Sequence, residues 1–269
     1  MTMGFLAEIV QATRVSIASS EYFPAPRQSL EHRAPPSFKG AIEREAATGA
    51  LVVEFKRVSP GSDEPDLPSR SAAEFVRVTR PGGVAAYSCV ATQPRFRGSP
   101  QDVADLAAET PLPILFKDFV VDPRQLDAAA RSGASAVLLI ARLESAGLLS
   151  SSLAELADGA HERGLEVLLE LHDKSELRQI ANVAADMYGV NVRDLDTLRM
   201  EPAKADATIR AAAHLRPLLG LSGVTGPGEA LRFWNGGVDG ILVGSAVARA
   251  DDPARFLRSL VRPTPRVAP

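Results

Sequence analysis

Residues 51–60 read LVVEFKRVSP, an apolar run that takes on a carboxylate and two cations before it breaks. Leu51, Val52 and Val53 open it and Ser59-Pro60 closes it, the pattern of a short buried strand running into a loop. Glu54 and Lys56 are two apart and so share one face of that strand. Burying an unpaired charge is costly, so an acid and an amine together at a strand end are a structural ion pair or part of a site. The rest of the chain tilts the choice toward a site, because it repeats one grammar: apolar strand, polar residue at its end, loop, amphipathic helix.

Working outward, strands are expected near 51–55, 84–90, 112–116, 135–140, 165–170, 186–190, 217–221 and 239–243. Helical patterns fall between them at 71–79, 101–109, 123–132, 151–163, 174–184, 203–214, 226–235 and 246–261. Asp122-Pro123 opens one helix, and Gly133, Gly164 and Gly236-Gly237 close others. Ahead of the first strand, Phe5, Leu6, Ile9 and Val10 have helical spacing within 4–18, and a second short helix is expected at 39–47. Between them Tyr22–Phe38 carries Pro24, Pro26, Pro35 and Pro36 and is too rich in proline for helix. Eight strand-helix units make a closed (β/α)₈ barrel the expected fold, with a doubly wound open sheet as the alternative. Against the open sheet, Gly223, Gly226 and Gly228 have the wrong spacing for a dinucleotide fingerprint. The expected organisation is an extension at 1–48, the barrel at 49–262 and a flexible tail at 263–269.

Barrel chemistry sits at the carboxyl ends of the strands. Those ends carry Glu54 and Lys56, then Lys117, Glu170, and Asn191 with Arg193. Each has an ordinary explanation as a rim residue or ion pair, yet together they gather amines, carboxylates, an amide and a guanidinium at one mouth. The last two ends, Ser222-Gly223 and Gly244-Ser245, are small residues leading toward helices, which frees backbone N–H groups to hold a phosphate. Ordinary turn and cap chemistry is the competing account of them.

With 269 residues, 45% apolar and 23% charged, the chain can build a sizeable core. A net charge of -3 offers no electrostatic footprint for nucleic acid or a membrane surface, so a small-molecule partner is expected. Cys89 stands alone and the four His lack zinc spacing, so neither disulfide, metal nor cofactor is expected. No basic stretch followed by an apolar core opens the chain and no run is long enough to span a bilayer. A cytoplasmic setting is expected, with the chain a monomer or a weak homodimer.

The stretches VVEFKRVSP, FRGS, PILFKDFVVDPRQLDAAARSGASAVLLIA, VLLELHDKSEL, YGVNVRDLDTL, SGV and ILVGSAVARADDP, in this order, make the chain resemble the indole-3-glycerol phosphate synthase family from about Phe38 onward. The resemblance implies a barrel enzyme that closes the ring of 1-(2-carboxyphenylamino)-1-deoxyribulose 5-phosphate with loss of CO₂ and water. It implies Lys117 as the general acid on the ketone oxygen, Glu170 as a base in the dehydration, and Lys56 as a second acid or a phosphate contact. Glu54 would charge-balance the lysines, Asn191 hold a polar group of the substrate, and Arg193 pair with the anthranilate carboxylate. Ser222, Gly223, Gly244 and Ser245 match substrate- or phosphate-cradling positions, and Phe96 and Phe119 are candidate walls for the aryl ring.

The chain departs from the family pattern at Leu221, where an acid usually precedes Ser-Gly, at Ala91-Thr92, at Pro81-Gly82-Gly83 and in the loop 61–70. These departures imply a paralogue in a specialised indole pathway as one alternative. A sugar-phosphate isomerase of the phosphoribosylanthranilate type and a non-catalytic barrel are the others; the pairing of Lys56 with Lys117 speaks against the isomerase.

Overall fold

A computed structural model describes residues 4–24 and 34–263. The expected tail beyond 263 and the centre of the Pro-rich stretch, with Pro26, lie outside the described residues. Eight parallel strands close on themselves in chain order: β1 (Ala50–Phe55), β2 (Ala86–Val90), β3 (Ile114–Lys117), β4 (Ala136–Ile140), β5 (Glu166–Leu171), β6 (Met187–Asn191), β7 (Leu218–Leu221) and β8 (Gly240–Val243). The ring is shut by β1 against β8, with Leu51 opposite Ile241 and Val53 opposite Val243. The barrel is therefore the fold, and the open sheet is excluded.

Period-two alternation sorts the side chains. Val52, Leu115, Leu138, Leu168, Leu219 and Leu242 fill the barrel, while Leu51, Val53, Phe116, Leu139 and Leu169 pack outward under the helices. Both faces of each strand are thus apolar, and such strands read as continuous hydrophobic runs. The third strand begins at Ile114, later than expected, just beyond Pro113, whose ring offers no N–H to a ladder.

Two expected helices are corrected. Residues 174–184 hold a 3-10 turn at Lys174–Arg178 followed by further turns. Ile180 and Val183 have helical spacing and are buried, but turns bury them. The last expected helix divides into Ser245–Arg249 and Pro253–Arg258. Pro253 stops any continuation from before it, and Asp252 caps the new start by accepting from the Arg255 N–H at 2.9 Å. A short helix at Ala141–Ser145, unmarked by any start signal, follows β4.

The extension closes both ends of the barrel. Helix Phe38–Glu45 buries Phe38 and Ile42 at the amino end, where Ser37 and the Lys39 N–H bind Glu166 at the start of β5. Helix Phe5–Ile17 buries Leu6, Ile9 and Val10 at the carboxyl end and is tied there by Arg14 to the Leu148 carbonyl. Among the described residues no helix is long and apolar enough to cross a membrane.

Candidate active site

Inward-facing residues at successive strand ends converge at the carboxyl mouth. Glu54 lies last-but-one on β1 and Lys56 two residues later, so the strand's alternation aims both into the barrel. Their contact is an ion pair of 2.8 Å, and Lys117 at the end of β3 reaches the other Glu54 oxygen at 3.5 Å. Glu54 is 3% exposed. Burial pushes its carboxyl up, but Lys56 and then Lys117 outweigh that and hold it at about 2. Gly244 makes room for this pair: a Cβ there would sit 2.7 Å from Glu54 Oε1 and 3.1 Å from Lys56 Nζ.

On the opposite wall, Glu170 of β5 is 1% exposed. Asn191 Nδ2 donates to its Oε1 at 3.0 Å, and the Asn191 side-chain oxygen accepts from the Arg193 N–H at 3.0 Å. Burial raises Glu170, yet His172, Lys117 and Asn191 together bring it below the ordinary glutamate value. The Arg193 guanidinium donates to the Leu198 carbonyl at 2.8 Å, and burial lowers its pKa against the pull of Glu54. The mouth thus holds three cations, two of them on lysines, beside three carboxylates, of which Asp118 has both oxygens tied by hydrogen bonds, so it offers a ligand positive groups together with proton donors and acceptors.

Two connected depressions share this mouth. The inner one is walled by Lys56, Lys117, Glu170, Arg193, Phe96 and Phe119. The two Phe rings lie 6.1 Å apart and are tilted by 45°. The second is bounded by Ser222, Gly223, Gly244 and Ser245 and shares Lys56 and Arg193 with the first. All twelve residues singled out in the sequence therefore stand around one mouth.

One detail of the cradle needs correcting. Ser245 opens a short helix, but the helix after β7 starts only at Pro227, so Ser222 and Gly223 belong to a loop. Their N–H groups are presented by left-handed backbone at both residues, φ 63° and 78°.

Other residues of the mouth were not marked in the sequence. Phe5 of the amino-terminal helix, Leu195 and Leu198 line the inner depression. Ser59 exchanges a hydroxyl hydrogen bond of 3.0 Å with Ser245, joining the loop after β1 to the cradle. That loop is strapped by Arg249 to the Glu64 carbonyl and by Arg97 to Asp66, and Gly61 packs on Leu198. His172, 3.2 Å from Glu170 through Nε2, is buried and lines neither depression. Its signal was available: it stands two residues past Glu170 and must share its face. Leu221 is 1% exposed on the barrel's inner face and packs on Gly189, where a Cβ would meet its Cδ1 at 2.6 Å.

A closed (β/α)₈ barrel that gathers amines, carboxylates and small residues at its carboxyl mouth belongs to the class of barrel proteins whose strand ends carry the site, as barrel enzymes do. Similarity to known proteins narrows the class. The indole-3-glycerol phosphate synthase family matches residues 6–260. Indole-3-glycerol phosphate synthases of Staphylococcus aureus strains bovine RF122 / ET3-1 and JH1 are each 32% identical over 261 residues, covering 96% of this chain and 97% of theirs. The chain belongs to the indole-3-glycerol phosphate synthase family. Among solved structures, thiamine phosphate pyrophosphorylase from Pyrococcus furiosus superposes with a TM-score of 0.57 at 18% identity, covering 81% of this chain and 95% of that one, a likeness of fold alone.

Proposed function

We propose that this mouth closes the indole ring of 1-(2-carboxyphenylamino)-1-deoxyribulose 5-phosphate, giving indole-3-glycerol phosphate, CO₂ and water. The observation that carries the reading is the Lys56–Glu54–Lys117 chain facing Glu170 across one depression. Attack of the aryl carbon on the ketone puts negative charge on the carbonyl oxygen, and Lys117 supplies a proton there. The carboxylate then leaves as CO₂, and the electrons of its bond to the ring restore aromaticity. Loss of the new hydroxyl as water needs a proton on that oxygen and a base for a proton next to it. Lys56 or Lys117 supports the first task and Glu170 the second.

Glu54 serves as the shared counter-ion. Held near pKa 2 by the two lysines, it stays ionised and keeps two amines close together in a half-enclosed space. Arg193 is suited to the substrate carboxylate, and Asn191 to a sugar hydroxyl and to the orientation of Glu170. Phe96 and Phe119 flank the aryl ring. The phosphate sits in the second depression, against Ser222, Gly223, Gly244 and Ser245, with Lys56 beside it. The reaction is internal to one phosphorylated small molecule and calls for no cofactor or metal, nucleic acid or membrane. We place it in the cytoplasm, acting as a monomer or weak homodimer in which residues 1–48 cover the barrel of 49–262.

The test is direct: purified protein mixed with the carboxyphenylamino-deoxyribulose phosphate should release CO₂ as indole fluorescence grows, one for one. A product that keeps its carboxylate would point to isomerase chemistry, and a bound but unchanged substrate to a non-catalytic barrel.

A further inference from the structure

Glu170 is held by one oxygen only. Oε1 accepts from Asn191 at 3.0 Å and lies 3.2 Å from His172 Nε2, whereas Oε2 has no hydrogen-bond partner among the described residues. His172 is 3% exposed, and its backbone N–H is fixed by Glu176 Oε2 at 2.7 Å. Its ring is not satisfied elsewhere: Nδ1 is without a partner among the described residues, and the Nε2 contact is close but off the line of a well-formed hydrogen bond. Burying an imidazole this way is costly, and the same face of β5 accepts an apolar residue at Leu168. Mere filling of space does not explain a histidine here.

We propose that His172 is a positioning residue for the reaction: its Nε2–H donates to Glu170 Oε1 and, with Asn191, pins that oxygen so that Oε2 is the atom that takes the proton. The inference rests on the reading of Glu170 as the base. An oxygen whose lone pairs already accept two donors is the poorer base, and the free oxygen of the same carboxylate is the better one. Catalytic hydrogen bonds are commonly loose before substrate binds and tighten afterwards, and a small turn of the imidazole aligns this one. The charged and titratable groups facing Glu170 are His172 just past the end of its own strand, Lys117 from β3, with Arg193 after β6 and Glu54 of β1 further round the mouth. Of these, His172 is buried and lines neither depression, so it acts on substrate only through Glu170.

The experiment compares pH profiles of kcat and KM for His172→Phe and His172→Gln, each alone and in a Glu170→Gln background, with circular dichroism confirming the fold. His172→Phe should lower kcat about tenfold or more, leave KM within about threefold, and move the acid limb of kcat/KM to higher pH, because the Glu170 anion has lost a supporting partner. His172→Gln, which keeps an N–H donor, should recover most of the kcat. In the Glu170→Gln background the His172→Phe change should add no further loss. A folded His172→Phe enzyme with the parent kcat and acid limb overturns the proposal, as does an undiminished loss in the Glu170→Gln background. Should the Phe variant not fold, His172→Ala, which also lacks the donor, carries the same test, and a folded Ala variant with the parent kcat and acid limb overturns it equally. Glu170→Gln with full turnover would instead overturn the base assignment and, with it, the inference.

Discussion

Two buried carboxylates at the carboxyl end of the barrel have opposite surroundings. Asp118, 3% exposed, is saturated: Oδ1 accepts from Thr92 at 2.7 Å and from the Phe119 N–H at 2.9 Å, and Oδ2 from Tyr22 at 2.7 Å and Gln125 at 2.9 Å. Glu170, 1% exposed, has Asn191 and His172 on one oxygen and, among the described residues, no hydrogen-bond partner on the other. A carboxylate with every lone pair occupied has no place for a proton and serves as a tie, here between the amino-terminal extension, the end of β2 and the turn after β3. A carboxylate with an open oxygen in a buried wall is unstable unless something uses that oxygen. The difference separates architecture from chemistry without reference to which residue is more buried.

The largest expected effect that would break this contrast comes from the chemical side. Lys117→Ala should cut turnover by about 100- to 10,000-fold while phosphate affinity hardly moves; parent-like turnover in the indole fluorescence assay would remove Lys117 from the acid role. Next is the ionic cluster around Glu54. The Glu54 carboxyl has a folded pKa of about 2, below its unfolded value, so its contribution to stability is complete above the unfolded pKa and is lost as pH falls toward 2. It amounts to roughly 3 kcal/mol. The stability gap between parent and Glu54→Gln, read from urea midpoints, should therefore narrow between pH 4.5 and 2; a constant gap would mean that the lysines do not hold that charge.

A smaller effect is expected at Leu221, buried on the inner face of β7. Leu221→Glu should lower the unfolding free energy by about 2 kcal/mol at neutral pH, since it buries an acid where leucine packs on Gly189. Turnover that rises in the same variant would mark the departure as a simply lost carboxylate, and unchanged turnover would mark a mouth rebuilt around leucine. The smallest belongs to the saturated side: Tyr22→Phe removes one of four donors to Asp118 and should cost about 1–2 kcal/mol, with kcat within about twofold. A kcat falling with stability would show that the tie reaches the chemistry after all.

The strand end at Glu54 and Lys56 was legible because it is local: two residues on one strand face meet whatever the rest of the chain does. Lys117, Glu170 and Asn191 were legible at one remove, through the count of eight units that obliges their strand ends to share a mouth. The misread helix at 174–184 failed for the converse reason. Ile180 and Val183 satisfy the helical period, but the barrel buries them with turns, and periodicity records that a residue is buried without recording how.

The sequence by itself determined the alternation of strands and helices, the parallel closed barrel and the identity of the charged residues at its mouth, because side-chain period and strand-end polarity are properties of short segments. Only the tertiary structure decided which lone pairs are free. Tyr22 meets Asp118 across 96 positions, Lys117 meets Glu54, and Glu170 keeps one oxygen open, through closure of the ring and the lie of the extension across it. Hydrogen-bond saturation depends on angles and distances between distant segments, and no local pattern encodes those.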